Sequence, residues 1–458
     1  MSSRRFPKGF RWGASTSALQ VEGATAAEGR GESIWERFAA RPGAIEDGST
    51  PAVACDHYHR FREDVGRMAE LGLTAYRFSI AWPRVVPEGT GAVNAKGLDF
   101  YDRLVDALLE HGIAPYATLY HWDLPQALQD RGGWADRAIV PAFVEYTRAV
   151  TERLGDRVAS WSTINEPWCI AVLGHEEGKQ APGLSDPPTG LAVAHHLLLA
   201  HGEAVPVIRT NAPEAEAGIV LNLVPAEPAE DTGAARNAVR WFDGFFNRWF
   251  LDPLLRGRYP EDAVADRVQC EHLPPSGMPF AQEGDLDVIS RPIDFLGVNY
   301  YSRAVFDADE NGEPVGVTVG TPERRNDMGW EDFPPGLHRI LVRLHREYDV
   351  ARIYVTENGG AWSDAPDADG RVRDHRKIHY LHGHLHAALD AIDEGVPLKG
   401  YFAWSLLDNW EWAHGYPMRF GFYWIDYETQ RRVAKDSALW YRDVIAHHGV
   451  DDDVVLPS

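Results

Sequence analysis

Eight short β-forming runs, each followed by a stretch of helical period, constrain this chain more than any other feature. They lie at residues 10–14, 75–80, 115–120, 160–165, 218–223, 295–299, 352–357 and 400–405. Between them apolar residues recur three and four apart, as in Tyr58, Phe61, Val65, Met68 and Leu71 before Gly72, or Phe100, Leu104, Ala107 and Leu108 before Gly112. Such spacing gives an amphipathic helix that a glycine then closes. Strand followed by helix, repeated eight times, specifies an α/β chain whose parallel strands close into a (β/α)8 barrel, not a sandwich or a bundle.

A length of 458 residues suits two or three average domains, or one such barrel with insertions. No linker, repeat or low-complexity tract divides the chain, so residues 1–450 read as one barrel domain and 451–458, with Asp451-Asp452-Asp453, as a frayed tail. The longest irregular stretch, 307–327, reads as an insertion over the site. With 68 acidic against 45 basic residues the net charge is −23, which disfavours nucleic acid and anionic membrane as partners. Cys55, Cys169 and Cys270 are too few and too scattered for a disulfide framework, and favour a reducing compartment. Arg4-Arg5 has no apolar stretch behind it and no bilayer-spanning run is evident, so a cytoplasmic location is expected. Neither composition nor motif bears on oligomeric state.

In such a barrel, side chains at the carboxyl ends of the strands form the site. Two runs end there on glutamate and are stopped at once by Pro or Asn-Gly: Thr163-Ile164-Asn165-Glu166-Pro167 and Ile353-Tyr354-Val355-Thr356-Glu357-Asn358-Gly359. A facing carboxylate pair is what glycoside hydrolysis requires, one group to donate a proton and one to attack or to activate water. Arg77 falls in the second run, His121 just after the third, Tyr301 after the sixth and Glu411 beyond the eighth. The 16 Trp, 17 Tyr and 18 Phe include Trp12, Trp122, Trp168, Trp330, Trp404 and Trp412 near strand ends or turns, a placement that suits the flat faces of sugar rings. His375, His379, His382 and His386 form a helical stripe without a surrounding Cys or carboxylate pattern, so no metal is expected. A dinucleotide-dependent oxidoreductase would need a Gly-x-Gly-x-x-Gly turn after a strand, and none occurs. A sugar-binding protein without activity would have no need of both glutamates.

From Phe10-Arg11-Trp12-Gly13 and Gln20-Val21-Glu22-Gly23, through Tyr76-Arg77-Phe78-Ser79-Ile80-Ala81-Trp82-Pro83-Arg84 and Leu119-Tyr120-His121-Trp122-Asp123-Leu124-Pro125, to the two glutamate strings, the chain resembles glycoside hydrolase family 1. The likeness continues through Gly297-Val298-Asn299-Tyr300-Tyr301 and Trp404-Ser405-Leu406-Leu407-Asp408-Asn409-Trp410-Glu411-Trp412 to Lys435-Asp436-Ser437, in order over nearly the whole chain.

The resemblance implies a retaining β-glycosidase, most often a β-glucosidase, that needs no metal or organic cofactor and acts on a small-molecule β-glycoside. It implies Glu357 as nucleophile, supported by Arg77, Tyr301 and Asn299, and Glu166 as acid/base. It further implies Gln20, His121, Trp122, Asn165, Trp404, Glu411, Trp412 and Phe420 as sugar-binding residues, with Asn165 on the 2-hydroxyl. Trp168, Cys169, Leu173, His175 and Trp330 are expected at the aglycone entrance. Relatives that act on 6-phosphorylated sugars carry a small hydroxyl residue where Glu411 stands and a Lys–Tyr pair where Met418 and Phe420 stand, so unphosphorylated glycosides are implied. The plant thioglucosidases of the family lack the acid/base glutamate, which is present here as Glu166. Many relatives have an aromatic residue at His175 and a His at Gln180, a departure that bears on the aglycone. A β-galactosidase or β-fucosidase is the alternative, since the 4-hydroxyl contacts exclude neither epimer.

Overall fold

The structure, a computed structural model, describes residues 3–309 and 314–457. Eight parallel strands close into a barrel: β1 (Arg11–Ser15), β2 (Ala75–Ser79), β3 (Ala114–Tyr120), β4 (Ser160–Asn165), β5 (Glu216–Asn222), β6 (Phe295–Asn299), β7 (Ile353–Glu357) and β8 (Leu398–Trp404). Each pairs with its neighbours in sequence and β8 returns to β1. Helices cover the outside, so the strands are buried on both faces, polar residues included. All eight expected runs are strands, and their ends fall within two residues of those read from the sequence.

The two ends of the barrel differ in chemistry. At the amino-terminal end Ala75, Tyr116, Phe295, Tyr354 and Phe402 pack together, with Tyr116 and Phe402 ring centres 5.1 Å apart, and close the floor. At the other end the parallel register sets Asn222 beside Asn299 and Asn299 beside Glu357, so polar groups collect where the loops begin.

Three expectations change. The stretch 307–327 is not wholly irregular: Ala304–Ala308 pairs with Pro314–Gly316 and with Ala226–Pro228 in a small sheet beside the barrel, and 310–313 lie outside the described residues. The segment expected to fray begins in a ladder, with Asp451 paired to Ser3, and Arg371 donates to the Pro457 carbonyl at 2.8 Å. One helix, Pro187–Asn211, is long and apolar enough to cross a membrane, but 83% of its most apolar window is buried inside the molecule, which makes it a core helix. The histidine stripe is spent on structure: His375 meets Asp436, and His382 and His386 both reach the Asp451 carbonyl. Among the described residues no group of three or more His, Cys, Asp or Glu is placed to hold a metal.

Candidate active site

Over the carboxyl ends of the strands lies a cavity of about 420 Å³, lined among others by Glu166, Glu357, Glu411, Tyr301 and Asn299. Its size is in the range of small-molecule sites. Trp122, Trp404, Trp412 and Phe420 supply its apolar faces. The loop after β8 that carries several of these is pinned from below: Asp408 accepts from Lys435 at 2.8 Å, from Arg419 at 2.9 Å and from the Gly421 amide at 2.8 Å. Three donors on one carboxyl group fix the geometry of the loop that carries it.

Glu357 ends β7 and is buried. Arg77 of β2 donates from Nη1 to its Oε1 at 2.6 Å, and the Tyr301 hydroxyl donates to Oε2 at 2.5 Å. The two donors fix both carboxyl oxygens in place, which suits a group that must attack from one direction. The second arm of Arg77 reaches Asn165 Oδ1 at 2.7 Å.

Glu166 follows β4 and takes a left-handed backbone, φ 50°. Trp122 (φ 77°) and Trp412 (φ 50°) do the same, so three cavity residues adopt a conformation that costs a non-glycine residue about 1 kcal/mol or more. Burial, and then the neighbouring Glu357 charge, push the Glu166 carboxyl up to about 8, against the pull of hydrogen bonds from Asn299 and Cys169 and of the Arg77 charge. Near neutral pH Glu166 therefore holds its proton.

Asn299 was expected to support Glu357, but it serves Glu166. Thr356 donates to Asn299 Oδ1 at 2.7 Å, which turns the amide hydrogens toward Glu166 Oε1 at 2.7 Å and Asn165 Oδ1 at 3.1 Å. Asn165, expected on the sugar 2-hydroxyl, has its oxygen engaged by Arg77 and Asn299, and its amide nitrogen lies 3.1 Å from His121 Nε2. Since Asn165 donates there, His121 Nε2 accepts and Nδ1 carries the proton, buried without a partner among the described residues. Burial and the Arg77 charge hold His121 well below its ordinary range, so it is a neutral donor. Gln20 stands behind the cavity wall: its amide donates to Asn409, to the Trp410 carbonyl and to Glu411 Oε2 at 3.1 Å. Glu411 faces the cavity, raised to about 8 by burial first and by Glu357 next.

Of the residues expected at the aglycone entrance, Trp168, Leu173 and Trp330 line the cavity, and Trp330 leans on Tyr301 with ring centres 5.2 Å apart. His175 does not. The π-helical segment Cys169–Glu176 turns its ring inward, where Nδ1 meets the Ile170 carbonyl at 2.8 Å and burial lowers the ring to about 4. Gln180, five residues on, reaches the lining instead. Cys169 is a lining residue of a different kind, because its Sγ lies 3.2 Å from Glu166 Oε2.

Sequence reasoning missed Asn222, Phe246 and Met328 in the lining. Asn222 ends β5 and obeys the strand-end rule that found Glu166. Phe246 packs on Trp168 with ring centres 4.2 Å apart, and no local pattern marks it.

The family model of glycosyl hydrolase family 1 matches residues 2–450. The chain belongs to glycosyl hydrolase family 1. It is thus a glycoside hydrolase, of a family whose members act with retention. The family 1 chain is 47% identical to beta-glucosidase A of Thermotoga maritima, over 99% of this chain and 100% of that one. It is 49% identical to thermostable beta-glucosidase B of Thermobispora bispora, over 97% of this chain and 91% of that one. Among solved structures, the family 1 β-glucosidase from Thermotoga maritima in complex with isofagomine lactam matches with a TM-score of 0.94 at 47% identity, covering 98% and 100% of the two chains.

Proposed function

We infer that the protein is a retaining β-glucosidase that removes terminal, non-reducing, unphosphorylated β-D-glucosyl residues through a glycosyl-enzyme. The observation that carries this reading is the contrast between two glutamates in one cavity: Glu357 gripped by Arg77 and Tyr301, and Glu166 raised to about 8. A carboxyl group that keeps its proton, beside one held by a guanidinium and a phenol, suits the two opposite roles of acid and nucleophile.

In the first step Glu357 attacks the anomeric carbon as Glu166 gives its proton to the departing glycosidic oxygen. Esterification removes the Glu357 charge, so Glu166 becomes the stronger acid and can serve as base for the incoming water. His121 Nδ1, Glu411 and the Trp404 and Trp412 faces are the groups available to the sugar. Trp168, Leu173, Gln180 and Trp330 would meet the aglycone.

Cellobiose, short cello-oligosaccharides and aryl or alkyl β-glucosides are the proposed substrates, which would put the enzyme late in cellulose breakdown. Relatives named for β-glucosidase or 1,4-β-D-glucan glucohydrolase activity support glucose, and the galactosidase or fucosidase alternative is not favoured. A cytoplasmic setting is proposed on the buried thiols of Cys55 and Cys169, which form no disulfide.

The test is hydrolysis of a nitrophenyl β-glucoside followed by NMR. Release of β-glucose as the first anomer is expected. A first-formed α-anomer, or no turnover, would remove the double-displacement reading.

A further inference from the structure

We propose that Cys169 is a positioning residue for Glu166, its thiol accepting from the neutral carboxyl before the proton is given up and donating to the carboxylate afterwards. The proposal rests on the acid/base role inferred for Glu166 above.

The geometry begins with the backbone. The Cys169 amide donates to the Glu166 carbonyl at 3.0 Å, a turn that brings Sγ to 3.2 Å from Glu166 Oε2. Asn222 Nδ2 donates to the same sulfur at 3.5 Å, which leaves the S–H free to face the carboxyl. The other carboxyl oxygen is already assigned. Asn299, fixed by Thr356, donates to Oε1 at 2.7 Å, and a donor there favours a bare lone pair. Oε2 therefore carries the acid's proton, and its hydrogen-bond partner among the described residues is Cys169. The other ionisable groups that face Glu166 are Glu357, Glu411, Arg77 and Tyr301. Of these, Glu357 is taken up by Arg77 and Tyr301, and Glu411 by Gln20.

Glu166 must change charge twice in each turnover, so a partner that strongly prefers one state would hinder one half of the cycle. Asn299 can only donate and favours the anion. A thiol is a weak donor and a weak acceptor, and it serves either state by rotating one hydrogen. In the first step the Oε2–H bond breaks, its proton passes to the glycosidic oxygen, and the electron pair of the broken carbon–oxygen bond leaves with the aglycone. In the second, water loses a proton to Oε2 as its oxygen bonds to the anomeric carbon and the Glu357 ester breaks. Cys169 keeps its own proton throughout, and burial first, with the Glu166 charge second, holds that thiol well above its ordinary range.

The test uses Cys169→Val and Cys169→Ser. The basic limb of kcat/KM against pH is measured with nitrophenyl β-glucoside, and turnover with dinitrophenyl β-glucoside reports the second step. A hydrogen bond to a charged group is the stronger of the two, so the thiol's bond to the carboxylate outweighs its bond from the neutral acid, and Cys169→Val should move the limb upward by about half a pH unit and slow dinitrophenyl turnover by about threefold to tenfold. The stronger hydroxyl donor of Cys169→Ser should move the limb downward while keeping dinitrophenyl turnover. Should Cys169→Val not fold, Cys169→Ala carries the same upward expectation. Coincident limbs, or an equal loss at every pH, would overturn the proposal and reduce Cys169 to packing. A parent protein that fails to hydrolyse either glucoside would remove the proposed function itself, a different and distinguishable result.

Discussion

Arg77 grips Glu357 at 2.6 Å through one arm of its guanidinium and reaches Asn165 at 2.7 Å through the other, so one rigid fork ties β2 to both β7 and β4. The pair is almost wholly buried, with side-chain exposures of 2% and 5%. Removing one partner of a buried ion pair leaves the other charge uncompensated, at a cost of about 3–5 kcal/mol. Arg77→Met should therefore lower stability and kcat together, seen as a reduced Tm and a loss of about a hundredfold or more in kcat. Tyr301→Phe removes a single hydroxyl donor, and a loss of about tenfold in kcat/KM with Tm nearly unchanged is expected. Unchanged kinetics in both variants would sever the link between this grip and the nucleophile.

The two carboxylates separate by the chemistry of rescue. Glu357→Gly should lose several powers of ten in rate, and azide or formate should restore turnover only through an α-configured product. Glu166→Ala should still react with a dinitrophenyl glucoside, accumulate the intermediate, and give the β-glycosyl azide when azide is added. NMR of the azide products decides; exchanged configurations would exchange the roles.

The raised Glu166 carboxyl sets the pH behaviour. Its folded value of about 8 lies above the 4.5 of an unperturbed glutamate, so between those values the folded state binds more protons than the unfolded one. Stability is therefore highest below about pH 4.5 as far as this group is concerned, and is lost as pH rises toward 8. Glu166→Gln, neutral at every pH, should melt about 2–6 °C above the parent near pH 8, and that advantage should vanish as pH falls toward 4.5. In the parent, kcat/KM should fall as pH rises through about 8, because the first step needs the proton.

Discrimination against phosphorylated sugars is expected around Glu411. Its carboxyl, raised to about 8, carries a proton near neutrality, so direct repulsion is muted there and the penalty comes from burying a phosphate dianion where Met418 and Phe420 offer no cation and Arg303 is paired with Glu227 and Glu331. Met418 and Phe420 pack with Trp404 beside it, and buried Lys377 is committed to the Phe420 and Gly421 carbonyls. A plain β-glucoside should be preferred over its 6-phosphate by about a hundredfold, equivalent to about 3 kcal/mol, and the preference should widen above pH 8 as Glu411 ionises. Equal kcat/KM for the two substrates would end the specificity argument.

The sequence alone determined the barrel and its catalytic rim. Strand periodicity and turn residues are local, so the eight runs, the strand-end positions of Glu166 and Glu357 and the placing of Arg77, His121, Tyr301 and Glu411 were all legible. What only the tertiary structure decided is which side chain meets which. Asn299 turns to Glu166 because Thr356, 57 positions away, fixes its amide. His175 points inward because a π-helical turn shifts the helical phase by which an entrance residue is read. The helix Pro187–Asn211 is long and apolar enough to cross a membrane, which the sequence reading passed over, and packing makes it a core helix. Cys169 sits against Glu166 because of a single turn of backbone. Hydrogen-bond partners and side-chain directions depend on distances between segments far apart in the chain, and no local pattern carries those distances.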